Sequence, residues 1–149
     1  MPKQTLYHFK QTLVSANVFL FEWRVIFNFL LVIKDWSVNA THSHLAGGMK
    51  YHDGKLTVPT PGRYYIYTQL YYQSSGRIHV RVSNKVVTMI QPPSSGTDHG
   101  TLQAGGVFYL KAGDVISLDV NSSIQIYMAT VHSYFGAFLI WLSFIERSV

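Results

Sequence analysis

The chain has 149 residues with a net charge of +5, only 13% charged and 15% aromatic side chains, and no cysteine. That length fits a single domain able to bury roughly two-thirds of its unfolded surface, and the absence of cysteine excludes both disulfides and thiolate metal sites. The cations are dispersed as singletons and near neighbours such as Arg77 and Arg81, which excludes the basic stripe of a nucleic-acid binder.

The first composition boundary lies near Lys34. Leu13 to Ile33 is almost continuously apolar over 21 residues, long enough to cross a bilayer. Glu22 and Arg24 interrupt it, and each costs about 2.5–3.5 kcal/mol at the centre of a membrane helix. Lys3 and Lys10 precede the run, so a span would leave the remaining chain outside. We therefore divide the sequence into a hydrophobic segment 1–35, which is a membrane anchor, a hydrophobic replacement for the first strand or a non-native start, a domain 36–140, and a tail 141–149.

From Trp36 onward the pattern is one of short strands and turns. Ser37 to His42 is polar, Gly47-Gly48 interrupts Ser43 to Lys50, and Asp53-Gly54 supplies a turn before Lys55 to Val58. Pro59-Thr60-Pro61-Gly62 is a corner, since proline brings no amide donor to a ladder. Arg63 to Tyr72 is a long strand that places Arg63, Tyr65, Tyr67, Gln69 and Tyr71 on one face and Tyr64, Ile66, Thr68, Leu70 and Tyr72 on the other. Both faces carry large part-apolar side chains. A strand of this kind packs on a core with one face and on something else, such as another subunit, with the other.

Arg77 to Val82 alternates cleanly, with Ile78, Val80 and Val82 inward and Arg77, His79 and Arg81 outward. A tight connection through Ser83, Asn84 and Lys85 joins it to Val86–Gln91 as a hairpin. After the polar loop Pro92 to Gly100, strands follow at Thr101–Leu110, Asp114–Val120 and Ser133–Ile140, with Lys111 to Asp114 as a turn. The sum is an all-β sandwich of about eight to ten strands. Glycines inside strands, at Gly105-Gly106 and Gly136, mark a bulge or a close approach that neighbouring tyrosine rings could fill.

Chemistry is sparse. His42-Ser-His44 with nearby His52 lacks a nameable third ligand, so no metal site and no cofactor is assigned. Asp114 and Asp119 belong to a turn and a strand and make no acid/base pair, and no nucleophile or phosphate-loop motif occurs, so no enzyme is expected. Asn39-Ala-Thr41 and Asn121-Ser-Ser123 are glycosylation acceptor sequences that suit an exported protein.

Together, Trp36, Gly48 to Leu56, Pro61 to Gln69, Gly105 to Asp114 and Tyr134 to Leu139 resemble the tumour necrosis factor family of ligands. The short Arg77 to Gln91 hairpin leans towards ectodysplasin-like members. The resemblance implies a jelly-roll sandwich that forms a homotrimer, is displayed on the cell surface or shed outside the cell, and binds cysteine-rich receptors in the grooves between subunits to signal by clustering them. It places Tyr65, Tyr67, Gln69, Tyr134 and Phe138 at the trimer interface, and Phe135, Ala137 and Leu139 in the core. Receptor contacts would come from loops, with Arg77, Arg81, Asn84 and Lys85 as a basic edge that steers an acidic receptor surface. The rivals are the trimeric recognition head of complement-type collagens, whose collagen repeat does not occur in Met1 to Ile33, and another ligand-binding β-sandwich, such as a carbohydrate-binding one. Two departures stand out: the loop cysteine pair is replaced by Ile90 and Leu102, and Met1 to Ile33 offers no first strand with an Ala-His-Leu-like motif.

Overall fold

The computed structural model describes residues 14–20, 24–27, 31–34, 36–72, 76–92, 100–120, 124–127 and 133–142. Their strands are, in order, β1 (Ser15–Leu20), β2 (Arg24–Phe27), β3 (Leu31–Val32), β4 (Trp36–Ser37), β5 (His44–Ala46), β6 (Lys50–His52) and β7 (Lys55–Thr57). Then come β8 (Gly62–Tyr72), β9 (Ile78–Val82), β10 (Lys85–Ile90), β11 (Gly100–Leu110), β12 (Val115–Val120), β13 (Ile124–Tyr127) and β14 (Tyr134–Leu142). The described residues contain no helix long and apolar enough to cross a membrane.

Two antiparallel sheets face each other as a jelly roll. In the first, β8 is flanked by β11 on one side and by β14 and then β13 on the other, β14 continues to β1, and β1 pairs with β4 and β5. In the second, the order is β10-β9-β12-β7-β6, with β3 also on β12. Nine of the described strands have four residues or more, and the five shorter pieces, β3 to β7, are fragments that bends and turns keep from lengthening.

Alternation along β8 separates its faces. Tyr64, Ile66, Thr68, Leu70 and Tyr72 are buried, whereas Tyr65, Tyr67, Gln69 and Tyr71 are half-buried and Arg63 is exposed. The buried set meets Ala16, Val18, Phe135 and Ala137 from its own sheet and Leu56, Ile78, Val80, Ile116 and Leu118 from the other. Trp36 packs edge-on against Phe135 at 4.6 Å and donates its indole hydrogen to the Ile33 carbonyl at 3.0 Å, so a large buried ring keeps its one polar group satisfied.

The sandwich begins inside the apolar segment whose role the sequence left open. Ser15–Leu20 is an interior strand, paired with β14 from Ser15↔Phe138 to Phe19↔Tyr134 and with β4 and β5 on its other side. The sheet therefore takes in chain before Trp36. Hydrophobicity alone could not separate this short buried strand from a membrane-length run.

Candidate functional site

The outward face of the first sheet is the most distinctive surface of the molecule. Register fixes its membership: Tyr65 of β8 lies between Phe138 of β14 and Val107 of β11, Tyr67 between Gly136 and Gly105, and Gln69 between Tyr134 and Gln103. The rings form a continuous stripe, with centroids 5.4 Å apart for Tyr65 and Phe138, 6.0 Å for Tyr65 and Tyr67, 6.2 Å for Tyr67 and Tyr134, and 6.4 Å for Tyr67 and Phe138. These spacings are those of attractive aromatic pairs.

Two glycines make room for it. A Cβ on Gly136 would overlap the Ala16 carbonyl and the Tyr67 hydroxyl, and one on Gly105 would come within 2.7 Å of the Tyr65 hydroxyl. Both tyrosine rings thus lie flat across neighbouring strands. The polar ends are paired as well: Tyr67 donates to Asn17 Oδ1 at 2.9 Å, and Gln69 Oε1 accepts from Gln103 Nε2 at 2.6 Å and from the Tyr134 hydroxyl at 3.3 Å. Burial, and secondly the neighbouring Tyr134, push the Tyr67 phenol up to about 12, so it remains a hydrogen-bond donor across the neutral range.

All five residues expected at a subunit interface, Tyr65, Tyr67, Gln69, Tyr134 and Phe138, therefore share one face. Sequence reasoning missed Asn17 and Gln103, which hold the polar ends. It also missed Val107, Tyr109, Ile140 and Trp141, which extend the apolar surface. Phe138 is 41% exposed and Trp141 66%. Alternation signalled Val107, Tyr109 and Ile140, whereas Trp141 reaches this face only through the register shift after Leu139.

The expected basic edge is not one patch. Arg77 precedes β9 while Asn84 and Lys85 follow it, so about 16 Å of strand separates them at 3.3 Å per residue. Arg81 is engaged: its Nε donates to Asp119, which also accepts from His79 at 3.1 Å, and its Nη1 donates to the Asn84 carbonyl at 3.3 Å. The clean alternation of Arg77, His79 and Arg81 hid this, because Asp119 lies on β12 opposite His79 and far away in sequence. Lys85 stays exposed, and Lys111 joins it at the same end of the molecule.

Asp114 is a turn residue. Its carboxylate accepts from the Lys111 amide at 2.8 Å and from the Ser83 hydroxyl at 3.0 Å, tying the β11–β12 turn to the β9–β10 turn. His44 shares a 2.8 Å hydrogen bond with Ser15, and the described residues hold no group of three metal-ligating side chains. Asn39 is exposed on a bend, whereas Asn121 lies outside the described residues.

Comparison with known proteins agrees with the architecture. The TNF (Tumour Necrosis Factor) family model matches residues 34–98 and 85–140. Tumor necrosis factor of Oryctolagus cuniculus is 30% identical over 125 residues, covering 68% of this chain and 53% of that protein. CD40 ligand of Gallus gallus is 28% identical over 105 residues, covering 60% and 39%. The chain thus spans about half or less of the length of these relatives. Among solved structures, Eiger TNF from S. frugiperda superimposes with a TM-score of 0.68 at 16% identity, covering 89% of this chain and 96% of that one. Murine APRIL gives 0.64 at 12% identity, covering 86% and 99%. These are cytokines and not enzymes, and the chain belongs to the tumour necrosis factor family.

Proposed function

We propose that the chain is an extracellular or cell-surface ligand that assembles as a homotrimer about the aromatic stripe and clusters receptor-type proteins in the grooves between its copies. The observation that carries this reading is the outward face of the first sheet. Glycines make room for Tyr65 and Tyr67, hydrogen bonds hold Tyr67 and Tyr134, and Phe138 packs on the rings of Tyr65 and Tyr67, yet all four are only partly covered within one copy. An ordered aromatic face of this kind is the core of an obligate interface. Three copies meeting on a common axis would bury all three stripes at once.

In this reading the loops at the sandwich ends meet the receptor. Lys85, Asn84 and Arg77 are the accessible polar groups expected to matter there, while Arg81 holds the hairpin in position. Native mass spectrometry of the full chain with a panel of soluble cysteine-rich receptor ectodomains tests the function. Complexes of three chains with up to three receptors are expected. Complexes of one chain with one receptor, or none with any ectodomain, would contradict it.

A further inference from the structure

We propose that Asn39 carries an N-linked oligosaccharide, attached to a loop that the edge of the first sheet pushes out into solvent. This rests on the extracellular reading above and adds to it a covalent site with a place in the fold.

The register makes the loop. β4 and β5 both pair with β1 at the end of the sheet, where no other described strand covers them. Ser37 lies opposite Phe19 and His44 opposite Asn17. The edge thus advances by two positions on β1 while residues 38–43 intervene, and that surplus chain has to leave the sheet. Its base is closed. The Ser43 hydroxyl donates to the Ser37 carbonyl at 2.7 Å, the Ser43 backbone amide to the Ala40 carbonyl at 2.9 Å, and the Asn39 backbone amide to the Ser37 hydroxyl at 3.1 Å. Val38 packs against the core, and the Asn17 side-chain amide donates to the His42 carbonyl at 3.4 Å. A short loop tied at its ends and anchored from below turns its remaining side chains outward.

Two of those side chains are the acceptor groups. Asn39 and Thr41 are both exposed, and neither side chain has a hydrogen-bond partner among the described residues. Asn17 differs, since its side-chain amide is used at both ends, by Tyr67 and by His42. Asn39-Ala40-Thr41 has the Asn-X-Thr spacing that an oligosaccharyltransferase reads, with alanine rather than proline between.

The donor is a lipid-pyrophosphate-linked oligosaccharide. The Asn39 side-chain nitrogen attacks C1 of its first sugar: a C–N bond forms, the C–O bond to the pyrophosphate breaks, the amide gives up one proton, and the lipid pyrophosphate leaves. Attached there, the glycan is rooted in an open sheet edge whose Leu45 is 39% exposed, in a chain with only 13% charged residues to guard it. A bulky hydrated group on such an edge hinders strand addition by other chains.

The full chain is carried into the secretory pathway of cultured eukaryotic cells behind a cleavable leader. The translocated protein is recovered from the medium and the microsomal lumen, and its Asn39 peptide is mapped by mass spectrometry. A glycan on Asn39 is expected, retained in Thr41→Ser and lost in Thr41→Ala and Asn39→Gln. Peptide-N-glycosidase should release it from the folded protein as completely as from the denatured one, because the root of the sugar is exposed.

Translocated chain with Asn39 unmodified would refute the site, as would a glycan on that residue that survives Thr41→Ala. Release only after denaturation would refute the exposed loop on which the site is built. The leader supplies export, so these outcomes judge the acceptor alone. Absence of any receptor complex with the glycosylated protein would instead remove the ligand reading and leave the acceptor standing.

Discussion

Tyr67 and Asn17, separated by 50 positions in sequence, are joined by a 2.9 Å hydrogen bond from the phenol to Oδ1, and this bond fastens the first strand across β14 to the centre of the sheet. The half-buried phenol would otherwise face Tyr134 and Phe138 with its polar end unmatched. Tyr67→Phe and Asn17→Ala should each destabilise the fold by about 1 kcal/mol, with the double variant costing less than the sum. Urea unfolding of the four proteins measures the coupling. Strict additivity would separate the two residues energetically.

The same phenol gives an alkaline limit. Its folded pKa is raised from 10.0 to about 12, first by burial and then by Tyr134. Between these values the unfolded chain has lost the proton and the folded one retains it, so stability falls as pH rises. The contribution is complete below pH 10 and lost through pH 12. Thermal melts across this window should show a decline that is shallower in Tyr67→Phe; equal slopes would assign the decline to other groups.

Gly136→Ala tests the crowding around that bond. The added methyl would overlap both the Ala16 carbonyl and the Tyr67 hydroxyl, so either β1 must move or the tyrosine must leave its place. A loss of about 1–3 kcal/mol is expected, typical of overpacking, together with weakened assembly. The reference is Gly113→Ala: no atom lies within 4 Å of its Cβ position, but its φ of +88° makes the change costly through the backbone alone. An unaltered oligomer in Gly136→Ala would show that Tyr67 can move without harm to the face.

The two hairpin cations have different tasks. Asp119 is buried between His79 and Arg81, and removing it leaves Arg81 without its carboxylate in a mostly buried position. Asp119→Ala should cost about 3–5 kcal/mol. Arg81→Glu should be similarly disruptive by placing two carboxylates together. Lys85→Glu, at an exposed position, should change stability by less than about 0.5 kcal/mol while altering association. Denaturation midpoints separate the cases, and a tolerant Arg81→Glu would return that residue to the basic edge.

Much of this architecture could be read from local pattern. Alternation in Arg63 to Tyr72, the Pro59 to Gly62 corner and the Gly105 and Gly136 positions gave the strands, the two-sided tyrosines and the space they need. What escaped was non-local. The Leu13 to Ile33 run is long and apolar enough to imitate a membrane span, and only its pairing with β14 and β12 distributes it between the two sheets. Arg81 looked like a solvated outward charge because its partner is 38 residues away. Trp141 lay beyond the segment that carried the resemblance, and the bulge after Leu139 turns it outward against the alternation of β14.

The central claim is that the aromatic face of one copy is completed by two others. Multi-angle light scattering of the full chain at micromolar concentration measures this directly. The account predicts three times the 16.9 kDa chain mass, falling to one chain in Tyr67→Asp, where charges would be brought together at the axis. A stable monomer of the native chain, or a Tyr67→Asp protein that keeps the full mass, would contradict it.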